Sequence, residues 1–280
     1  MKRDMFADYH VHTHFSDDSV YPMEQVVRDA IAMGMDEICF TDHVDYGIKE
    51  DWDCGHPIRY RGEEPLANVD YLSYAASIEQ YREIYGSRIA IKMGLEFGMQ
   101  THTISQYEKL FEQYPFDFII LSVHQIEDQE LWTQEFQRGR SQQEYHERYY
   151  EELLHLVETY KDYSVLGHMD LAARYDEQGT YAFARIEPLV SRILRTVIED
   201  GKGIELNTSY HRYGLPDTTP SVEILKCYRE LGGEIITIGS DSHKPEHLGA
   251  YIREARDLLK SMGFRYFNTF DRMSPVYHAL

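Results

Sequence analysis

FDFIILSVH (residues 116–124) is a short apolar run, β-prone throughout, that stops on a histidine. It reads as a strand, and the same design recurs on both sides of it. FADYHVHT (6–13), EICFTDH (37–43) and AIKMGLEFG (90–98) come before it, and SVLGHMD (164–170), GIELNTS (203–209) and EIITIGSDSH (234–243) come after. A last run, FRYFNTF (264–270), follows the final helix. Between the strands lie longer stretches of helical period, at 22–34, 68–86, 141–160, 185–201, 220–233 and 245–263. The first opens with Pro22 and closes on Gly34, as a helix with a glycine stop should. Strands alternating with helices imply βα units around a parallel sheet, and 280 residues suit one α/β barrel domain spanning 1–280.

Hydrophobic residues make up 42% and aromatics 13%, enough for a large core. Asp and Glu number 48 against 28 Lys and Arg, a formal charge of -20. Such a surface repels a phosphate backbone, so no nucleic-acid partner is expected. Bound divalent cations would offset part of that charge locally, which leaves a small anionic substrate open. MKRDMFADYHVH (1–12) has no apolar leader-like stretch and no segment reaches the length of a membrane span, so the expectation is a cytoplasmic protein without membrane contact. Cys39, Cys54 and Cys227 are scattered and lack CxxC spacing, so neither a disulfide framework nor a thiolate zinc site is indicated. The stretch 45–66, rich in Asp, Gly, Pro and charge, is a long irregular excursion of the kind that often covers a site. Trp52, Tyr60 and Arg61 are its candidates for contact with a substrate ring.

The informative fact is where the metal-binding residue types fall. Six of the apolar runs end at their C-terminal side in His, Asp or Glu: His10 and His12, Asp42 and His43, Glu96, His124, His168 and Asp170, then Asp241 and His243. A parallel barrel gathers the C-terminal ends of its strands on one face, where these residues would converge. Strand side chains alternate, so both imidazoles of an HxH pair point to one side. Imidazole and carboxylate suit Zn, Mn and Fe, and an ionised Glu can bridge two cations. Metals about 3.5 to 4 Å apart hold a hydroxide between them and clamp the attacking and leaving oxygens of a phosphoryl transfer. Phosphate-ester hydrolysis is the matching chemistry, and no GxSxG, P-loop or GxGxxG motif competes with it.

As an ordered group, HVH (10–12), TDH (41–43), GLE (94–96), SVH (122–124), GHMD (167–170) and SDSH (240–243) resemble the PHP superfamily, the polymerase and histidinol phosphatase domains, over residues 8–243. DYHVHT, GHMDLAARY and LNTSYHRYG most resemble its monofunctional histidinol phosphate phosphatases. The resemblance implies a distorted (β/α)7, TIM-like barrel holding three divalent ions, Zn, Mn or Fe. It also implies hydrolysis of L-histidinol phosphate to L-histidinol and phosphate, a step of histidine biosynthesis. Carried over, His10, His12, Glu96 and Asp241 would hold one metal, and Glu96, His124 and His168 a second, with a metal-bridging hydroxide at the Glu96 site as nucleophile. His43, His243 and an acid from FSDDS (15–19) would hold the third. Asp18 is favoured because in similar phosphatases the ligand sits six residues after the second His of HxH, and Asp17 is the second choice.

A phosphate also needs a cation beyond the metals, for which an arginine fork is the usual bidentate partner. Arg174 and Arg212 each follow a strand on the expected active face, and the resemblance supports both as phosphate-binding. His14, Asp42, Asp170 and Ser242 lie beside ligands in sequence and are the candidates for orienting them. Two other readings stay open. One is a phosphoesterase acting on another small phosphate ester or a nucleotide. The other is a metal-storing protein without turnover, which would lack the open coordination position that catalysis needs.

Overall fold

The apolar runs form seven parallel strands, here β1 (Ala7–Val11), β2 (Glu37–Phe40), β3 (Ala90–Gly98), β4 (Phe118–Ser122), β5 (Val165–Leu166), β6 (Gly203–Asn207) and β7 (Ile236–Gly239). The structure is a computed structural model describing residues 4–280; residues 1–3, the start of the MKRDMFADYHVH stretch, lie outside the described residues. The strands lie side by side in chain order, every pair parallel, and the short strand His43–Val44 adds to β3. The two edges meet at a Val11–Ser242 bridge, where His12 N donates to Ser242 O at 2.8 Å and Ser242 N to His10 O at 3.2 Å. The result is the expected (β/α)7 barrel, nearly closed, with one main helix after each strand. These helices are Met23–Met33, Tyr71–Tyr85, Ile104–Gln113, Gln142–Thr159, Phe183–Glu199, Val222–Glu230 and Ile252–Ser261. Among the described residues no helix is long and apolar enough to cross a membrane.

Local chemistry explains the element ends. Ser141 starts the long fourth helix with a capping box, accepting from Glu144 N while Glu144 accepts from Ser141 N. Three elements differ from the expectation. Helix Ile104–Gln113 was not anticipated, since its acidic and polar residues dilute a single short apolar stripe. The last helix begins at Ile252 and not near 245, because Gly249 and Tyr251 take left-handed backbone angles that break the helical path. FRYFNTF does not join the barrel; Tyr266–Asp271 pairs antiparallel with Ser274–Ala279. That hairpin turns on Arg272 and Met273, both at positive φ, without the Asn-Gly signal that announces such turns.

The barrel interior is divided along its axis. At the end where the strands begin, Ala7, Tyr9, Cys39, Phe118, Ile120, Val165, Ile235 and Phe270 form an apolar plug. The hairpin seals it: Phe270 N donates to the Tyr9 hydroxyl at 2.7 Å, and that hydroxyl donates back to Phe270 O at 3.1 Å. The register of β1 on β2 shifts between Asp8 and Val11, one extra residue on β1. Tyr9 and His10, adjacent in sequence, therefore both serve the interior, Tyr9 in the plug and His10 among the polar residues above it.

Candidate metal centre

Glu96, fully buried near the end of β3, is the hub of the polar half. Its two oxygens face different imidazoles. Oε2 lies 3.2 Å from His10 Nε2, 3.5 Å from His12 Nε2 and 3.1 Å from His43 Nδ1. Oε1 lies 3.1 Å from His124 Nε2 and 2.8 Å from His168 Nε2, and accepts from Ser122 Oγ at 2.7 Å. A carboxylate split this way has the placement of a bridge between two cation positions. Burial alone would raise its pKa, but the positive potential of His10, His124 and His43 holds it well below the ordinary carboxylate value.

A third group opens toward the mouth. Asp18 Oδ2 is 3.0 Å from His243 Nε2 and 3.5 Å from His43 Nε2. Asp17 instead pairs with Lys49 Nζ at 2.6 Å. Asp241 sits between the groups, its Oδ1 3.6 Å from His12 Nε2, 3.8 Å from His10 Nε2 and 3.5 Å from His243 Nδ1. It holds a left-handed backbone angle, φ 55°, a strained state for a non-glycine residue of the kind that collects at functional sites. His12 Nε2 and His43 Nδ1 are buried without a hydrogen-bond partner although carboxylates lie close by. Imidazole nitrogens and carboxylate oxygens converging at these spacings, with His12 Nε2 and His43 Nδ1 left without a hydrogen bond, fit a set of divalent-cation ligands.

Both arginines approach Asp241. Arg174 Nη1 is 3.7 Å from Asp241 Oδ2, Nη2 donates to Ser209 Oγ at 2.7 Å, and the buried Nε makes no hydrogen bond. Arg174 lines a cavity of about 450 Å³ over the cluster of imidazoles and carboxylates, together with Lys49, Arg61, Glu64, Trp132 and Tyr175. Arg212 is tied to the chain itself: its Nη1 and Nη2 donate to Ser240 O and Asp241 O at 2.8 and 2.7 Å. Of the three residues singled out in the 45–66 excursion, only Arg61 lines this cavity, bonded to Glu130 at 2.6 Å. Trp52 walls a separate cavity and Tyr60 is exposed.

The model of the PHP domain matches residues 8–209. The chain belongs to the PHP family. It is 33% identical to a histidinol-phosphatase of Lactococcus lactis over 95% of this chain and 94% of that one. A probable histidinol-phosphatase of Thermotoga maritima is 28% identical over 92% of this chain and 93% of its own length. The crystal structure of the L. lactis histidinol phosphate phosphatase, complexed with Zn, L-histidinol and phosphate, superposes with a TM-score of 0.84 at 31% identity, covering 98% of this chain and all of that one.

The residues that orient the imidazoles of this PHP chain are mostly not their neighbours in sequence. His14 is exposed and accepts from Met23 N at 3.3 Å, away from the cluster. Asp170 accepts from Ser221 N at 2.7 Å, and burial pushes its pKa up to about 7. Ser242 Oγ donates to Lys244 O at 3.0 Å. Asp42 acts at one remove: it accepts from Ser16 Oγ at 2.7 Å, and Ser16 Oγ is 3.3 Å from His12 Nδ1. Direct partners are Glu205, whose Oε1 is 2.5 Å from His10 Nδ1, and Asp45, whose Oδ1 is 2.7 Å from His124 Nδ1. Burial opposes charge on His124, but Glu96 and Asp45 outweigh it and lift its pKa to about 9. Gly98 leaves room for the Asp45 contact, since a Cβ there would sit 1.8 Å from Asp45 Oδ1. The inward alternation of Gly203, Glu205 and Asn207 in GIELN was the available signal for Glu205.

Proposed function

We propose that this chain is a histidinol-phosphatase, hydrolysing L-histidinol phosphate to L-histidinol and phosphate in histidine biosynthesis, in the cytoplasm. The observation that carries the reading is Glu96, whose two oxygens divide five imidazoles into two sets. His10, His12, Glu96 and Asp241 form one ligand group, Glu96, His124 and His168 the second, and Asp18, His43 and His243 the third. Asp18 is preferred to Asp17 because only Asp18 faces both histidines of the third group, while Asp17 is paired with Lys49. Divalent Zn, Mn or Fe ions bound there would supply a hydroxide nucleophile at neutral pH and positive charge for the phosphoryl oxygens.

The protein's own groups do the rest. Arg174, almost fully buried and with Nε unused, grips the phosphate; Arg212 braces the backbone of Ser240 and Asp241 and so fixes the carboxylate that Arg174 approaches. Glu64 at the cavity wall offers a cationic leaving group a carboxylate, while Glu130 is already paired with Arg61. The deciding experiment is phosphate release across a panel of small monoesters with defined divalent ions. Histidinol phosphate should show the highest kcat/KM, and a chelator should abolish release until metal is restored. A nucleotide or other ester ranking first would move the activity to another phosphoesterase reaction, and full activity in verified metal-free protein would overturn the reading.

A further inference from the structure

Outside the central cavity, the excursion after β2 gathers three ligand types of its own. Glu50, Cys54 and His56 bring a carboxylate oxygen, a sulfur and an imidazole nitrogen within 4.8 Å of one another. His56 Nδ1 lies 3.6 Å from Glu50 Oε2 and 3.7 Å from Cys54 Sγ. Zinc bonds of about 2.0–2.2 Å to N and O and about 2.3 Å to S, at tetrahedral angles, set N···O edges of roughly 3.3–3.5 Å and N···S edges of roughly 3.6 Å. The observed N···O gap is too long for a good hydrogen bond, which would be about 2.9 Å, and both gaps lie about 0.1 Å or more above coordination edges, close enough for a small side-chain shift to seat an ion.

Two more facts point to a cation. Glu50 Oε2 is buried and has no hydrogen-bond partner, although Arg59 Nε stands 3.7 Å from the opposite oxygen. An oxygen turned inward without a partner is costly unless a cation serves it. His56 Nδ1 also lies 3.4 Å from Pro57 O, so one nitrogen faces three acceptors and could donate well to none. A single ion between them satisfies the carboxylate, the thiolate and the imidazole together.

We propose that Glu50, Cys54 and His56 form a separate site for one Zn(II)-class ion, with the remaining position open to solvent. A thiolate with imidazole selects this class over Mg or Ca. The site would pin the excursion where it matters to the cavity. Lys49, next to Glu50, reaches Asp17 and Asp45, while Asp51 is anchored by Tyr46, Asn68 and Tyr71. Nothing in this proposal depends on the reaction at the central site.

The probe is Co(II), added to chelator-treated full-length protein under a non-thiol reductant. Co(II)–thiolate charge transfer in the near ultraviolet reports this site alone, because the central ligands include no cysteine. Cys39 and Cys227 belong to no ligand cluster among the described residues. The expected result is a charge-transfer band with the amplitude of one Co(II)–thiolate bond per chain once the central groups are also filled, which persists in Cys227→Ser and vanishes in Cys54→Ser. Glu50→Gln and His56→Ala should weaken the affinity read from that band by about tenfold or more. No thiolate band in the wild-type chain, or a band that survives Cys54→Ser, overturns the proposal.

Discussion

The two ends of the barrel share the same strands and obey opposite rules. Where the strands begin, Tyr9 meets Phe118 edge-on at 4.9 Å and Phe118 meets Phe270 at 5.0 Å, and the plug they form is apolar except where the Tyr9 hydroxyl meets the Glu37 carboxylate. Where they end, Glu96, Glu205, Asp241, His10 and His12 are all buried, and their charges are answered by one another, by neighbouring imidazoles and, at Asp241, by Arg174 and Arg212. Apolar burial at the first end stabilises; desolvated charge at the second costs free energy unless partners or cations return it. The fold can keep a destabilising cluster because the other half of the same interior carries the stability. Substitutions at the two ends should therefore fail in different assays.

Glu96→Gln tests the polar end most severely. It keeps the shape and removes the charge that both imidazole sets face, so kcat should fall by roughly 10³-fold or more and bound metal should drop. Retained activity would mean that the split carboxylate is not a bridge. Phe118→Ala is the counterpart at the apolar end. It should cost about 3–5 kcal/mol in denaturant unfolding while the folded fraction keeps its kcat/KM within a few-fold. An equal loss in both assays would erase the division between the ends. At the mouth, Asp18→Ala should lower metal content and activity, whereas Asp17→Ala releases Lys49 and should act mainly on stability; the reverse ranking would move the third ligand group to Asp17.

The polar end was the more legible of the two in the sequence. Its candidate ligands stop six apolar runs, and the barrel converts that repeated position into proximity, so His10, His12, His43, Glu96, His124, His168, Asp241 and His243 lie together at the strand ends. Their helpers were hidden for a geometric reason. His14 and Asp170 stand two residues after His12 and His168, but past the ends of β1 and β5, where strand alternation no longer aims them inward, while the direct partners arrive from other strands and loops, as Glu205 and Asp45 do. The plug was legible only in part: its apolar strand residues were visible, but Phe270 joins through a hairpin whose turn carries no glycine.

Arg174 and Arg212 sharpen the comparison within the polar end, because one faces the cavity and the other faces backbone. Arg174→Ala should lower kcat/KM by about 10- to 150-fold, the worth of charge-assisted bonds of roughly 1.5–3 kcal/mol, with metal content unchanged. Lys there should recover only part, lacking the planar fork. Arg212→Ala should instead loosen the Ser240–Asp241 turn and lower metal content. Equal kinetic losses with metal intact in both variants would make them a joint phosphate clamp.

The smallest expected effect lies at the boundary between the ends, at Glu205. Its Oε1 holds His10 Nδ1, and its Oε2 accepts from His168 N at 2.9 Å, so both oxygens must be acceptors. Glu205→Gln has one acceptor and one donor for those two places. If the amide NH2 faces His10, the imidazole is driven to the tautomer whose Nε2 carries the proton, and that nitrogen can no longer bind a cation. If it faces His168 N, two donors oppose each other and the strand end shifts. Either way metal affinity should fall by about 10- to 100-fold, while kcat at saturating metal stays near that of the parent chain. Metal titration followed by kinetics at saturation separates the two quantities. Unchanged affinity would show that His10 keeps its tautomer without Glu205, and the boundary between the two ends would then lie higher in the barrel than Glu205.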